Sequence, residues 1–250
     1  MVVLTPDTLI TGPTRSPRWG QSLTIDLGCQ DATLAISRDN RLPRASVVVT
    51  LAAQELMRLS KAGDKVENIL VVGSEVDPTM HPGFYEISEN LRALRDKWFP
   101  RAKLNLITDF SIVDDAEVRI ALGFYNNPVV RLEYGTVKTF TALTGRKSTQ
   151  LGEIIHQLST LERVIVQANF VRGKVDNSTE NEVKGWIKRL RDVRPDEIQI
   201  TSPPPRARKG QPQGISKTRM QEIVDQVTEE LGATITMLEP QDIVESPTTA

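Results

Sequence analysis

Short runs of β-forming apolar residues alternate along this chain with longer stretches whose apolar residues recur every three or four positions, and that alternation leaves few folds open. The clearest run, residues 69–72 (ILVV), reads as a strand buried on both faces. It ends in residues 73–79 (GSEVDPT), a turn with two carboxylates, and an amphipathic helix begins near Gly83. The unit repeats. Val48, Leu51, Ala52, Leu56 and Leu59 fall at helical spacing and Gly63 closes that helix. Phe84, Ile87, Leu91, Leu94 and Trp98 form the next stripe, ended by Pro100 and followed by a strand over Lys103–Thr108. Further strands are expected over residues 22–27, 129–134, 164–170, 197–201 and 233–238. The helices between them are expected near residues 114–122, on Leu151, Ile154, Ile155, Leu158 and Leu161, on Val183, Trp186, Ile187 and Leu190, and on Met220, Ile223, Val224, Val227 and Leu231. Thr179 and Glu182 have the spacing of a capping box.

No hairpin signal separates consecutive strands, so each pair requires a helical crossover and the sheet is expected to be parallel. About six βα units with right-handed crossovers predict an α/β fold, a parallel (β/α) partial or full TIM-like barrel. At 250 residues the chain is long enough for one such core. Residues 1–21 carry Pro6, Gly12, Pro13 and Pro17 and read as an irregular lead-in, residues 22–238 as one barrel domain, and residues 239–250 as an unstructured tail.

Composition narrows the chemistry by exclusion. With 31 Lys and Arg against 32 Asp and Glu, the net charge argues for neither nucleic acid nor an acidic substrate. One cysteine, Cys29, excludes an internal disulfide and a self-contained cysteine metal site. No apolar run approaches membrane-spanning length and the opening residues are broken by Pro6 and Asp7, so the expectation is a cytoplasmic protein without membrane association. Neither a phosphate-binding glycine loop nor a nucleophile elbow is present.

In a parallel α/β chain, ligands sit at the C-terminal ends of the strands. The residues there are Gly73, Ser74, Glu75, Asp77, Thr108, Asp109, Glu133, Gln167, Asn169 and Thr201. Four of them are carboxylates, Glu75, Asp77, Asp109 and Glu133, which repel one another around one mouth unless a cation joins them or one is protonated. Their spacing is specific to no metal, and no metal site is assigned. Asp77 has two readings: a ligand carboxylate, or an Asx-turn residue capping the helix that follows. His81 reads as a packing or capping residue, and His156 lies on the solvated side of its helix. The loop at residues 203–214 (PPPRARKGQPQG) is Pro-rich and basic; a connector is favoured over an RNA contact, because no aromatics interleave its charges.

These same residues carry a resemblance. Residues 71–84 (VVGSEVDPTMHPGF) resemble the GEPTLHP segment of radical S-adenosylmethionine (radical SAM) enzymes, in particular their wyosine tRNA-modifying-like branch. Residues 12–23, 106–122 (LITDFSIVDDAEVRIAL), 131–146 (RLEYGTVKTFTALTGR) and 169–200 resemble further segments of that branch in the same order, so the likeness runs over residues 12–238. It implies a barrel of the radical SAM type with S-adenosylmethionine (SAM) on the rim, its amino group facing Asp77 or Glu75. One departure is decisive for the chemistry. The family holds a [4Fe–4S] cluster on three cysteines spaced C-x₃-C-x₂-C, whereas Cys29 is followed at that spacing by Thr33 and Ile36. No [4Fe–4S] cluster is therefore expected. The resemblance then implies a degenerate member that binds SAM or another small ligand, or that serves as protein partner to an active relative. The alternatives are an active family enzyme, as in tRNA modification, and a cluster-independent enzyme working through the rim carboxylates.

Overall fold

The structure, a computed structural model, describes residues 2–3, 8–38, 40–111, 115–203, 212–233, 235–239 and 244–245. The chain reads from its pattern as one domain, and its contacts gather into two compact units. Unit 1 comprises residues 1–129 with 241–250, and unit 2 comprises residues 130–240.

Unit 1 runs β1 (Val2–Val3), β2 (Ile10–Ser16), β3 (Gly20–Asp26), α1 (Ala45–Ala62), β4 (Asn68–Val72), a short 3₁₀ turn (Pro78–Met80), α2 (Phe84–Trp98), β5 (Lys103–Thr108) and α3 (Ala116–Leu122). β6 (Asn127–Arg131) spans the boundary between the units. The strand order is β5-β4-β3-β2, and β3, β4 and β5 are parallel. Alternation sorts the side chains of β3 between two faces. Leu23 and Ile25 point one way and Ser22, Thr24 and Asp26 the other, and all five are buried. The paired register sets Thr24 and Asn105 on either side of Leu70, and Asp26 beside Val72. Asn105 donates to Asn68 at 2.7 Å and accepts from Asn127 at 3.3 Å, so one face carries a buried polar row while the other is apolar.

The lead-in differs from its expectation. Residues 10–16 form β2, antiparallel to β3, instead of an irregular segment. The connection is Pro17-Arg18-Trp19, with Gly20 left-handed at φ 60°, the geometry of a three-residue hairpin loop. Pro13 is tolerated because β2 is the outer strand of its order and its register shifts between Thr11 and Thr14, where Pro13 need donate no ladder hydrogen bond.

Unit 2 runs α4 (Val137–Thr144), α5 (Gln150–Ser159), β7 (Ile165–Asn169), β8 (Val171–Arg172), α6 (Glu180–Val193), β9 (Glu197–Thr201), β10 (Gln213–Gly214), α7 (Lys217–Leu231) and β11 (Ile235–Met237). β7, β9 and β11 are parallel neighbours in the order β11-β9-β7. The core gathers Phe140, Phe170, Trp186, Ile187 and Leu190, with the Phe170 and Trp186 rings edge to face at 5.2 Å. α4 was not legible in the sequence: it is short and rich in threonine, and it stands because Thr136 caps its start and left-handed Gly145 closes its end. β10 pairs antiparallel with β8. Residues 204–211, most of the basic loop, lie outside the described residues. β12 (Val244–Glu245), from the expected tail, returns to unit 1 and pairs parallel with β1.

The architecture is thus α/β with mostly parallel strands. Among the described residues no helix is long and apolar enough to cross a membrane.

Candidate functional site

In unit 1 the ends of β3 and β4 touch through glycines. A Cβ on Gly28 would collide with the Val76 carbonyl and come within 2.9 Å of the Gly73 Cα, and a Cβ on Gly73 would collide with the same carbonyl. Only glycine at both positions lets the loop after β4 fold down over the two strand ends. Asp26 sits beneath it, 1% exposed. Its Oδ1 accepts from the Gly28 amide and the Ser74 amide, both at 2.9 Å. Its Oδ2 has no hydrogen-bond partner among the described residues. Burial pushes the Asp26 carboxyl above the usual carboxylate range, with the Glu75 charge adding to it; hydrogen bonding from Ser74 and Gly28 opposes. The Ser74 hydroxyl lies near enough to favour the ionised form, yet makes no hydrogen bond of ordinary geometry.

Asp77 is occupied by its own chain. Oδ1 accepts from the Thr79 amide at 3.0 Å, from the Thr79 hydroxyl in a short contact, and from the Thr108 hydroxyl at 3.0 Å. Oδ2 accepts from Thr108 at 2.8 Å and from the Asp109 amide at 2.5 Å. The Asx-turn is therefore realised, capping the 3₁₀ turn at Pro78–Met80 and not α2, whose N-cap is Gly83, and the carboxylate also ties the loop after β4 to the end of β5. Desolvation lifts the Asp77 carboxyl, and the Asp109 charge lifts it further against those hydrogen bonds. Glu75 and Asp109 are exposed. Phe110, fully buried, adopts a left-handed φ of 52°, strained for a bulky residue, and its amide donates to Thr108 at 2.8 Å.

In unit 2, Gln167 and Asn169 project from one face of β7 beside Gln199 and Thr201 of β9. Gln167 Nε2, Asn169 Oδ1 and Thr201 Oγ1 are buried without hydrogen-bond partners among the described residues. The Glu133 and Asn169 carbonyls both accept from Asn177 Nδ2 at 2.9 Å, and Asn177 Oδ1 accepts from the Val171 amide at 2.8 Å. Asn177 thus fixes the exits of two strands. Glu182 departs from the capping box. Thr179 does accept from the Glu182 amide, at 3.4 Å. The Glu182 carboxylate, however, accepts from the Gly135 and Thr136 amides, both at 3.1 Å, from the Thr136 hydroxyl at 2.6 Å and from the Thr139 hydroxyl at 2.7 Å. Burial raises it, the four donors outweigh burial, and the carboxyl is held below its usual range.

The structure therefore brings Ser74, Asp77, Thr108 and Asp109 together with Asp26 in unit 1, and Glu133, Gln167 and Asn169 with Asn177 and Thr201 in unit 2. Asp26 and Asn177 escaped the sequence reading. The available signal for Asp26 was an acidic residue in step with Ser22 and Thr24 along β3; for Asn177 there was none, because its partners are backbone atoms distant in sequence. His81 is buried, accepting from the Gly83 amide at 3.0 Å through Nδ1 and donating to the Pro43 carbonyl at 2.7 Å through Nε2. His156 is exposed.

The residues present do not fit a self-contained iron–sulfur cluster. Cys29 is the one thiol of the chain and is fully buried, the Thr33 hydroxyl donates to Asp31 at 2.7 Å, and Ile36 offers no donor atom. Among the described residues no group of three or more His, Cys, Asp or Glu side chains gathers closely enough to hold a metal ion.

Comparison with known proteins defines the class at the level of fold. No protein-family model matches the sequence, and no curated protein does. Solved structures do: Streptococcus suis SuiB bound to S-adenosylmethionine aligns with a TM-score of 0.55 at 13% identity, over 81% of this chain and 45% of that one. A second SuiB structure aligns with the same score over 80% and 44%. A domain of a pyruvate-formate lyase-activating enzyme from Bacteroides vulgatus aligns with a TM-score of 0.48 at 12% identity. The likeness to SuiB is one of fold, an α/β fold shared over about four fifths of this chain. The chain spans less than half the length of the SuiB structures.

Proposed function

We propose that this chain is a radical-SAM-type α/β protein without a [4Fe–4S] cluster of its own, binding S-adenosylmethionine or a similar small cationic ligand at the C-terminal ends of its strands. The observation that carries the reading is the buried Asp26 Oδ2 beneath the loop after β4, which makes no hydrogen bond of ordinary geometry among the described residues although the Ser74 hydroxyl lies near the carboxylate. A buried polar atom left without a partner is costly, and a ligand group reaching it removes that cost. Asp26 is held toward its neutral form by burial, so an arriving ammonium or sulfonium would stabilise the carboxylate and gain a charge-assisted contact. Asp77, with both oxygens engaged by Thr79, Thr108 and Asp109, would shape the loop; exposed Glu75 would be the rim carboxylate available to the ligand's amino group. The likeness to a SuiB structure bound to S-adenosylmethionine supports the choice of ligand. No radical step is assigned, since one thiol is too few for the cluster.

The test is calorimetric titration of the protein with S-adenosylmethionine and with uncharged-sulfur S-adenosylhomocysteine. Saturable binding of the first, weaker binding of the second, and a loss of about tenfold or more in Asp26→Asn are expected. Absence of binding, or full binding by Asp26→Asn, would refute the site.

A further inference from the structure

Unit 2 carries a recess apart from the C-terminal strand ends, with Arg194 standing three residues before β9 begins. It is a shallow depression of about 590 Å³, wide open to solvent between α5 and α6 and lined by Gly152 and His156 of α5 and by Arg189, Arg191, Asp192 and Arg194 at the end of α6. Three guanidiniums therefore face one carboxylate. Arg191 is already paired, with Glu230 at 3.1 Å. Arg189 and Arg194 form no side-chain ion pair or hydrogen bond among the described residues, and neither reaches Asp192 closely enough to pair. The Arg189 Nε is buried without an acceptor among the described residues, and its terminal nitrogens, which are not buried, are the atoms Arg189 offers to the recess. Unpaired guanidinium nitrogens from two arginines on one recess are matched most fully by an anion with several oxygens.

Local structure keeps the recess open. Arg194 holds a left-handed φ of 55° as the residue ending α6, which turns the chain there instead of extending the helix past the recess. A Cβ added to Gly152 would meet nothing within 4 Å, so the α5 wall is bare at that point. His156, exposed one turn further along α5, adds a ring N–H that can donate to an oxyanion.

We propose that this recess is a phosphate-binding site, taking the phosphate group of a small phosphomonoester or diphosphate, with Arg189 and Arg194 as its principal ligands. The guanidinium fork matches phosphate oxygens in pairs, which a lysine could not do. The site is independent of the ligand proposed at the strand ends.

The full-length chain is titrated calorimetrically with sodium pyrophosphate at constant ionic strength, alongside Arg189→Gln, Arg194→Asn, Gly152→Asp and Lys188→Gln. Asn tolerates the left-handed backbone at 194, and Asp at 152 places a carboxylate in open space, so both variants are expected to keep the fold, as checked by circular dichroism. Saturable binding is expected, weakened about tenfold in Arg189→Gln and Arg194→Asn, abolished in Gly152→Asp, and unchanged in Lys188→Gln, whose lysine does not line the recess. Inorganic phosphate and phenyl phosphate, run as further arms, tell a free phosphate from an esterified one; binding of either with the same variant pattern supports the site. Absence of pyrophosphate binding at millimolar concentration would overturn it. Equal weakening in Lys188→Gln, which is the signature of diffuse charge, would do so too, as would binding of a short single-stranded RNA with none of pyrophosphate.

Discussion

Asp77 in unit 1 and Glu182 in unit 2 each tie down the loop that follows a strand, and the two carboxyls are shifted in opposite directions. Both are desolvated, and both accept from threonine hydroxyls and backbone amides. Desolvation is the largest influence on each: at Asp77 it outweighs the donors with help from a like charge, and at Glu182 four donors outweigh it. The Asp109 charge stands against Asp77, whereas Glu182 is ringed only by donors, the amides of Gly135 and Thr136 and the hydroxyls of Thr136 and Thr139. Similar hydrogen bonding thus gives a carboxyl that resists ionisation in one unit and one that favours it in the other. Donors decide the direction only where together they exceed the desolvation and any like charge beside it.

Glu182 should show the largest effect. Glu182→Ala leaves four donors without their acceptor in a buried place and is expected to lower the unfolding free energy by about 3 kcal/mol, with Glu182→Gln losing about half of that. Urea unfolding measures both; a loss below about 1 kcal/mol in the alanine variant would remove Glu182 from the fold's main supports. The pH dependence has a definite sign. A carboxyl held below its unfolded value adds stability above that value and loses it as pH falls through the folded one. The acid limb of a stability profile should accordingly be flatter in Glu182→Gln.

Asp77 should respond the other way, and less strongly. Its carboxyl lies above the unfolded value, so its ionisation costs the folded state: its contribution is most favourable at pH below the ordinary Asp range and declines as pH rises toward the folded value. Asp77→Asn keeps an acceptor for the Thr79 amide and sheds the repulsion from Asp109. Its stability at neutral pH is expected within about 1 kcal/mol of the parent, with a reduced decline from acid to neutral pH. A loss larger than that of Glu182→Gln would break the comparison.

The smallest effect is expected at His81. Burial holds its imidazole below the usual value, against the Pro43 carbonyl and Glu86, and Nδ1 must stay unprotonated to accept from the Gly83 amide. Its contribution is complete above a pH of about 6.5 and is lost as pH falls through that value toward the lower folded one. His81→Gln should therefore reduce the slope of the melting temperature between about pH 5 and 7. An unchanged slope would mean that His81 titrates in the folded protein as it does in the unfolded one.

Much of the scaffold was legible because burial leaves a periodic trace. The β4 run at residues 69–72, the α1 stripe of Val48, Ala52, Leu56 and Leu59, and the strands at Lys103–Thr108 and Glu197–Thr201 all stand where the pattern placed them. β2 was hidden because its prolines and glycine resemble a loop until an adjacent strand gives them an edge position. In the candidate site, Ser74, Asp77, Thr108, Gln167 and Asn169 were legible as strand-end polar residues. Asp26 was not, although it is the most buried carboxylate of the unit 1 rim, since a single acidic residue within a strand pattern gives no indication of its partners.

The sequence by itself determined the alternation of strands and helices, the apolar face of each, and a supply of one thiol where a cluster of the radical SAM type needs three. Those are local or compositional facts, set by a residue's own chemistry and its near neighbours. Only the tertiary structure decided where the Glu182 carboxylate goes, which donors fill Asp77, and that Gly135 and Gly185 bring the loop after β6 against α6 with no room for a side chain. Each depends on atoms that meet across tens of residues. A hydrogen bond or a close contact is specified by position in space, which a linear pattern does not carry.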